Sequence, residues 1–403
     1  MPNATVLTAK WLLPIDRPPI HNGWIEVTNG RIGRFGGGPP PAAARELGDV
    51  AVLPGLVNAH THLELSWLAG RIPPADSMVD WIVSLIAERA AGVNVSAGER
   101  LEDMRDAVAA MKATGTVLVG DVSNSLASAA VLRDADMGGV LFHELLGFSV
   151  TEPSELVRGG WTHAEDAVTG APELHPSVVA HAPYSVSPAL FSEIAARRRR
   201  APLSVHVAES AEELEFLQSG RGRFRGLLDQ LGVWNDRWPI PDCDPIEFLR
   251  RVGYLQPGVL AVHGVHLKES GLERLRDAGG VVVTCPRSNE WVGGGLPQVS
   301  RFYASGVRVA IGTDSLASTP TLNLFDELAQ LRRIAPDVAA GSLLESATRV
   351  GADALGFGHE YGTIAPGKRA ALIAVRIPPG VNDVEEYLVS GVPASSVDPV
   401  LPS

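Results

Sequence analysis

A chain of 403 residues exceeds one ordinary domain of about 100–200 residues, although an α/β barrel by itself takes about 250. Its 45% hydrophobic and 20% charged residues are the balance of a packed soluble protein, which excludes disordered and fibrous classes. A net charge of −12 disfavours nucleic acid or an anionic membrane as the main partner, and no window approaches the ~20 consecutive apolar residues of a membrane span. The start, MPNATVLTAKW, has no long apolar core behind a basic segment. Two cysteines, Cys243 and Cys285, cannot form a disulfide framework. The expectation is a cytoplasmic protein whose partner is a small molecule, with a homo-oligomer compatible with this composition.

The first fifty residues read as β-structure, with Asn29-Gly30 as a hairpin turn. Gly36-Gly37-Gly38-Pro39-Pro40-Pro41 then breaks regular structure. From Val52 onward, short β-branched runs alternate with helical stretches such as Met78–Ala91, Gly98–Ala113, Pro188–Arg200 and Leu272–Ala278. Eight runs are predicted: Leu53–His62, Thr116–Ser123, Val140–Leu145, Val178–Ser185, Leu203–Glu209, Leu260–His266, Val281–Asn289 and Val307–Ser315. Eight βα repeats without a glycine-rich phosphate loop predict an α/β fold of the (β/α)8 TIM-type barrel class. A final turn and strand in GTIAPGKRAALIAVRI is expected to pair with the N-terminal strands. The expected organisation is a barrel over 53–361 and a small β-domain formed by both chain ends, 1–52 and 362–403.

The polar residues are placed unusually. Nearly every predicted strand ends in a group that binds metal or moves protons: His60 and His62, Asp121, His143-Glu144, His181, His206 with Glu209, His263, Ser288-Asn289 and Asp314. The C-terminal face of such a barrel is where active sites lie, and this many buried polar groups need partners there. His60 and His62, two apart on a strand, point to one side and make half of a metal site. His206 adds a third nitrogen and Asp314 an oxygen. A His3Asp set with room for water is catalytic rather than structural in type. Glu209, three past His206, needs the chain to curl back, which suits a carboxylate held beside the metal. His263 has a helper's position, and His266 a structural one.

Leu53-Pro-Gly-Leu-Val-Asn-Ala-His60-Thr-His62-Leu-Glu64, His206-Val-Ala-Glu209, Val262-His263-Gly-Val-His266-Leu, Cys285-Pro-Arg-Ser-Asn289 and Gly312-Thr-Asp314 together resemble the amidohydrolase superfamily, in its chlorohydrolase and aminohydrolase branch. The motifs run in order from residue 53 to about 370. The resemblance implies one divalent ion on His60, His62, His206 and Asp314, zinc first and iron(II) second. It implies Glu209 as proton shuttle, His263 as partner of the reacting water, and His181 and Ser318 as substrate contacts. Binuclear relatives need a rim lysine, and Lys10, Lys112, Lys268 and Lys368 stand elsewhere. One departure is Ala371, where the terminal family motif has an aspartate.

The implied reaction is hydrolytic deamination. An ion-activated hydroxide attacks the purine C6, Glu209 moves the proton, Asp314 and His263 orient the attack, and ammonia leaves. The same machinery serves guanine and other aminohydrolases or triazine-type chlorohydrolases. A metal-free structural protein of this fold is the remote alternative, disfavoured by the full set of ligands. The continuation Glu64-Leu65-Ser66 resembles deaminases of 6-aminodeoxyfutalosine in menaquinone biosynthesis, which makes that nucleoside the first substrate choice and Glu64 a substrate-binding candidate. A lid is expected over Gly220–Arg250, where Arg221, Arg223 and Arg225 would grip a substrate carboxylate.

Overall fold

Two halves of one apolar run part company at Gly55, and this break sets the architecture. The structure is a computed structural model that describes residues 4–400. Its strands are β1 (Ala4–Leu12), β2 (Ile20–Thr28), β3 (Arg31–Gly37), β4 (Arg45–Glu46), β5 (Val50–Pro54), β6 (Leu56–Thr61), β7 (Thr116–Ser123) and β8 (Gly138–Leu145). They continue with β9 (Leu174–Ala180), β10 (Ser204–Val207), β11 (Leu260–His263), β12 (Val281–Thr284), β13 (Arg308–Ile311), β14 (Leu372–Arg376) and β15 (Val397–Pro399).

Seven strands from both chain ends form one sheet of order β15-β14-β5-β1-β2-β3, with β4 beside β1. The β2–β3 turn has Asn29 at φ 51° and Gly30 at φ 72°, the left-handed pair that a tight hairpin turn requires. The predicted run Leu53–His62 is therefore two strands in two sheets. β5 pairs antiparallel with β14, while β6 pairs parallel with β7. Gly55 makes the crossing because a Cβ there would stand 2.2 Å from Val117 Cγ1.

The other eight strands form two parallel sheets, β6-β7-β8-β9 and β10-β11-β12-β13. Hydrogen bonds join their edges on both sides. His206 N donates to His181 O at 2.9 Å, and Thr313 N and Asp314 N both donate to His60 O at 3.1 Å. Helices such as Met78–Ala91, Ala97–Ala113 and Pro188–Ala196 connect the strands, giving a TIM-barrel-type α/β fold. Local chemistry sets their starts. Ser96 and Glu99 make a reciprocal capping box, and the Ser187 hydroxyl accepts from Leu190 N ahead of Pro188.

Alternation along the strands separates an inner face from an outer one. Leu118, Val122, Val140, Phe142, Val179, Leu260, Val262, Val281 and Val283 share one cluster. Val178, Val205, Val207, Ala261 and Val282 pack instead against the surrounding helices. Among the described residues, no helix is long and apolar enough to cross a membrane.

Candidate active site

The same alternation sorts the strand-end polar residues. Glu144 continues the inner face of Val140 and Phe142, and His181 continues that of Val179. Asp121 and His143 fall on the opposite face. Asp121 accepts from Leu63 N at 2.9 Å and from Ser128 Oγ at 2.5 Å, so it braces the turn after His62 and does not reach the site. His143 Nδ1 lies 3.3 Å from Ser123 O and is similarly engaged.

Simple alternation would turn Glu209 and His263 outward. Left-handed backbone prevents this at Ala208, φ 52°, and His263, φ 72°, and recurs after β13 at Asp314, φ 61°. Such backbone is costly outside glycine and persists only where surroundings hold it. At Ala208 the holder is Glu213, whose carboxylate accepts from Ala208 N at 2.9 Å and Glu209 N at 3.0 Å. Burial raises the Glu213 pKa to about 7. Gly294 lies against the same turn, where a Cβ would come within 2.6 Å of Glu209 O.

The result is a cluster of His60, His62, His206, His263, Asp314 and Glu209, all but one of them buried and His62 half-buried. His62 Nε2 and His206 Nε2 are 3.2 Å apart. Asp314 Oδ1 lies 3.6 Å from His62 Nε2 and 3.8 Å from His60 Nε2. His60 is fully buried, yet neither of its ring nitrogens has a hydrogen-bond partner. Orphaned buried donors and acceptors are expensive. A cation among the Nε2 atoms and the carboxylate would take up the Nε2 lone pair of His60, though not its Nδ1, so the donor set fits a divalent ion. Burial holds His60 and His263 well below the ordinary imidazole pKa, and lowers His206 to about 4. Neutral imidazole is the form that offers a lone pair to metal.

Supporting contacts orient these groups. His206 Nδ1 faces His181 O at 3.0 Å; a carbonyl only accepts, so the proton sits on Nδ1 and Nε2 presents its lone pair. Asn289 Nδ2 donates to His263 Nδ1 at 2.9 Å, leaving the His263 proton on Nε2, 3.4 Å from Glu209 Oε1. Burial, with the charge of Asp314 second, raises Glu209 well above the ordinary carboxylate range. Asp314 Oδ2 accepts from Ser288 and, at 3.1 Å, from Ser318.

A cavity of about 230 Å³ opens above the cluster, lined by His62, His206, Glu209, His263, Asp314, His181, Glu64 and Glu144 among others. Ser318, expected at the substrate, is fully buried against Asp314 and stands outside this lining. Glu64 does line the cavity, but its carboxylate accepts from Ser123 Oγ, Asn124 N, Ser125 N and Ser125 Oγ at 2.6–3.1 Å. Burial opposes its ionisation, and these hydrogen bonds outweigh that and keep its pKa low.

The lid segment reaches the cavity with the face opposite to the one expected. Phe224, Leu227, Leu228 and Leu231 line it at helical spacing, and this stripe was readable in the sequence. Arg221, Arg223 and Arg225 lie outside the lining. Arg221 is exposed, Arg223 pairs with Asp80, and Arg225 pairs with Asp229 and stacks 3.8 Å over Trp234. The arginine that does line the cavity is Arg89, and nothing in the sequence singled it out. Glu144, named in the sequence only as a strand-end group beside His143, lines the cavity as well; strand parity was the signal that separates the two. Ser288 and Asn289 stand on the helix Pro286–Trp291 and not on a strand end, because Pro286 starts a helix there.

Parallel βα units with histidines and carboxylates at their C-terminal ends define a hydrolase of the TIM-barrel type. Residues 51–396 match the model of the amidohydrolase family, and the chain belongs to that family, whose members here are hydrolytic enzymes acting on C–N bonds. It is 31% identical to the aminodeoxyfutalosine deaminase of Deinococcus radiodurans, over 78% of this chain and 76% of that protein. It is 29% identical to a 5-methylthioadenosine/S-adenosylhomocysteine deaminase of Moorella thermoacetica, over 97% and 90%. A zinc-bound adenosine deaminase of Xanthomonas campestris superposes with a TM-score of 0.81 at 25% identity, covering 98% of this chain and 90% of that one.

Proposed function

We propose that this chain is a metal-dependent deaminase of an adenine nucleoside, with aminodeoxyfutalosine as first substrate. The observation that carries the metal-dependent part is His60, fully buried with both ring nitrogens unpartnered inside a ring of His and Asp donors. The adenine nucleoside comes from the relatives. In this reading residues 53–361 are one closed (β/α)8 barrel, flanked by a small β-domain of 1–52 and 362–403.

His60, His62, His206 and Asp314 hold one divalent ion, zinc first; no lysine lines the cavity among the described residues. The ion supplies Lewis acidity and lowers the pKa of water. Glu209 takes the proton of the attacking water and delivers it to the ring nitrogen beside C6. Burial raises its pKa above the ordinary carboxylate range, the direction that favours a carboxylate taking up a proton. His263, with its proton on Nε2, orients the water oxygen and stabilises charge on it. His181 contacts the purine, its pKa lowered to about 4 by burial, so it acts as a neutral hydrogen-bonding group. Water thus adds across C6 and that ring nitrogen; the remaining proton of the added hydroxyl then passes to the amino group, the C6–N bond breaks, and ammonia leaves a 6-oxopurine that keeps the first proton on its ring nitrogen.

Ammonia release by the metal-loaded enzyme tests this reading, across adenosine, 5′-methylthioadenosine, S-adenosylhomocysteine, aminodeoxyfutalosine and guanine. The expected result is turnover of the nucleosides with aminodeoxyfutalosine highest in kcat/KM. A guanine kcat/KM about 10²-fold above every nucleoside, or chloride release from a chlorotriazine without ammonia release, overturns it. A second expectation separates Ser318 from substrate binding. Ser318→Ala should weaken metal retention about 10–100-fold, as loss of a ligand-orienting contact does, and leave the nucleoside KM near wild type at saturating metal. A raised KM with normal metal affinity would return Ser318 to the substrate.

A further inference from the structure

The outer part of the cavity differs from its floor. Ile86, Leu146 and Leu231 are large apolar side chains that are 39%, 49% and 47% exposed, and all three line the mouth. Isolated exposed leucines are ordinary, but three around one opening make a patch that water covers at a cost. The helix Met78–Ala91 supplies one wall through Trp81, Leu85 and Arg89, at i, i+4 and i+8 on one face. That face is apolar until its last turn, where Arg89 stands.

Arg89 is the single lysine or arginine among the lining residues, and no hydrogen bond or ion pair of it occurs among the described residues. The lining carboxylates Glu64, Glu144, Glu209 and Asp314 are, by contrast, half-buried or buried. Arg89 is thus the exposed charge of the lining and the carboxylates its deeper ones, with the guanidinium close enough for its charge to act on His62. A zwitterionic substituent at the mouth would bring an ammonium there with no exposed lining acid to receive it. A small neutral substituent would cover the apolar ring and leave Arg89 idle. An apolar group ending in a carboxylate satisfies both features, since a guanidinium fork grips a carboxylate with two parallel hydrogen bonds.

We propose that the mouth is a specificity site for a nucleoside whose 5′ substituent is apolar and carries one negative charge, with Arg89 as the charge reader and Ile86, Leu146 and Leu231 as its apolar collar. This rests on the adenine-nucleoside reading above. It also moves the anion contact from the lid arginines to the first helix of the barrel.

The test is steady-state kinetics of the metal-loaded wild type, Arg89→Gln, Arg89→Lys and Leu231→Asn on adenosine, 5′-methylthioadenosine, S-adenosylhomocysteine and aminodeoxyfutalosine, whose 5′ side carries a benzoate. Arg89→Gln should raise KM for the benzoate nucleoside about 10–100-fold, the worth of a charge-assisted hydrogen bond, with kcat little changed. Its KM for 5′-methylthioadenosine should move less than about 3-fold. Arg89→Lys should fall between, because it keeps the charge and loses the fork. Leu231→Asn should raise KM for both the methylthio and the benzoate substrates and spare adenosine. An equal KM change on all four substrates, or a lower melting temperature with unchanged KM, overturns the proposal and makes Arg89 a helix C-terminal charge. Turnover of none of the four overturns the nucleoside reading and this proposal with it; turnover without an Arg89-dependent preference overturns this proposal alone.

Discussion

Glu209→Gln should lower kcat by about 10²–10⁴-fold while metal content and melting temperature stay near wild type. The argument is geometric first. Glu209 is buried, its Oε1 lies 3.4 Å from His263 Nε2, and its backbone is pinned through Glu213 and packed against Gly294. Glutamine has the same shape and can keep the contact with His263, so the turn around Ala208 has no reason to move. What glutamine lacks is the proton acceptor. Stopped or single-turnover measurements with elemental analysis of the same sample check the two halves together. Near-normal turnover would reduce Glu209 to a buried acid at a helix start, and lost metal would make it a ligand.

His206→Ala should remove the ion and, with it, activity beyond about 10²-fold, more than the usual loss for an outer contact of a metal site. Three neighbours depend on His206. Its Nε2 faces that of His62, its Nδ1 is anchored on His181 O, and its charge-state pressures act on Asp314, whose pKa is raised by burial and lowered by Ser288, His206 and Ser318. Binding of an ion to the folded state alone stabilises it by about 4 kcal/mol at a thousandfold excess over Kd. Chelation should therefore lower the melting temperature of the wild type and leave that of His206→Ala unchanged. Elemental analysis of wild type should give one ion per chain. Two ions per chain, or full metal content in the variant, would refute the four-residue site.

Tertiary context explains where the reading of residues stopped. Eight βα units, and the positions of His60, His62, His206 and Asp314 at strand ends, were legible because both depend on local features: apolar runs of strand length, the helical segments between them, and residue types with one chemistry. The hairpin at Asn29-Gly30 was legible for the same reason, since a tight turn needs left-handed backbone at both positions.

Other features depend on contacts between distant segments, which carry no local mark. Leu53–His62 looks continuous, yet β5 belongs with β14 more than three hundred residues away, and only that pairing makes Gly55 a crossing point. Asp121 and Glu144 look alike as strand-end acids; register against neighbouring strands sends one outward to Leu63 N and the other into the cavity. Glu209 and His263 reach the site because Ala208 and His263 adopt left-handed backbone, a strain that Glu213 and the surrounding packing hold in place. Arg221, Arg223 and Arg225 were conspicuous as a cluster, but their helix buries its apolar stripe toward the cavity and so turns the charges to solvent. By itself, then, the order of residues determined which elements form and which side chains can bind a cation or carry a proton. Which of those side chains meet, and which arginine lines the cavity, was decided by packing, because burying an apolar face fixes the direction of every polar group on the same element.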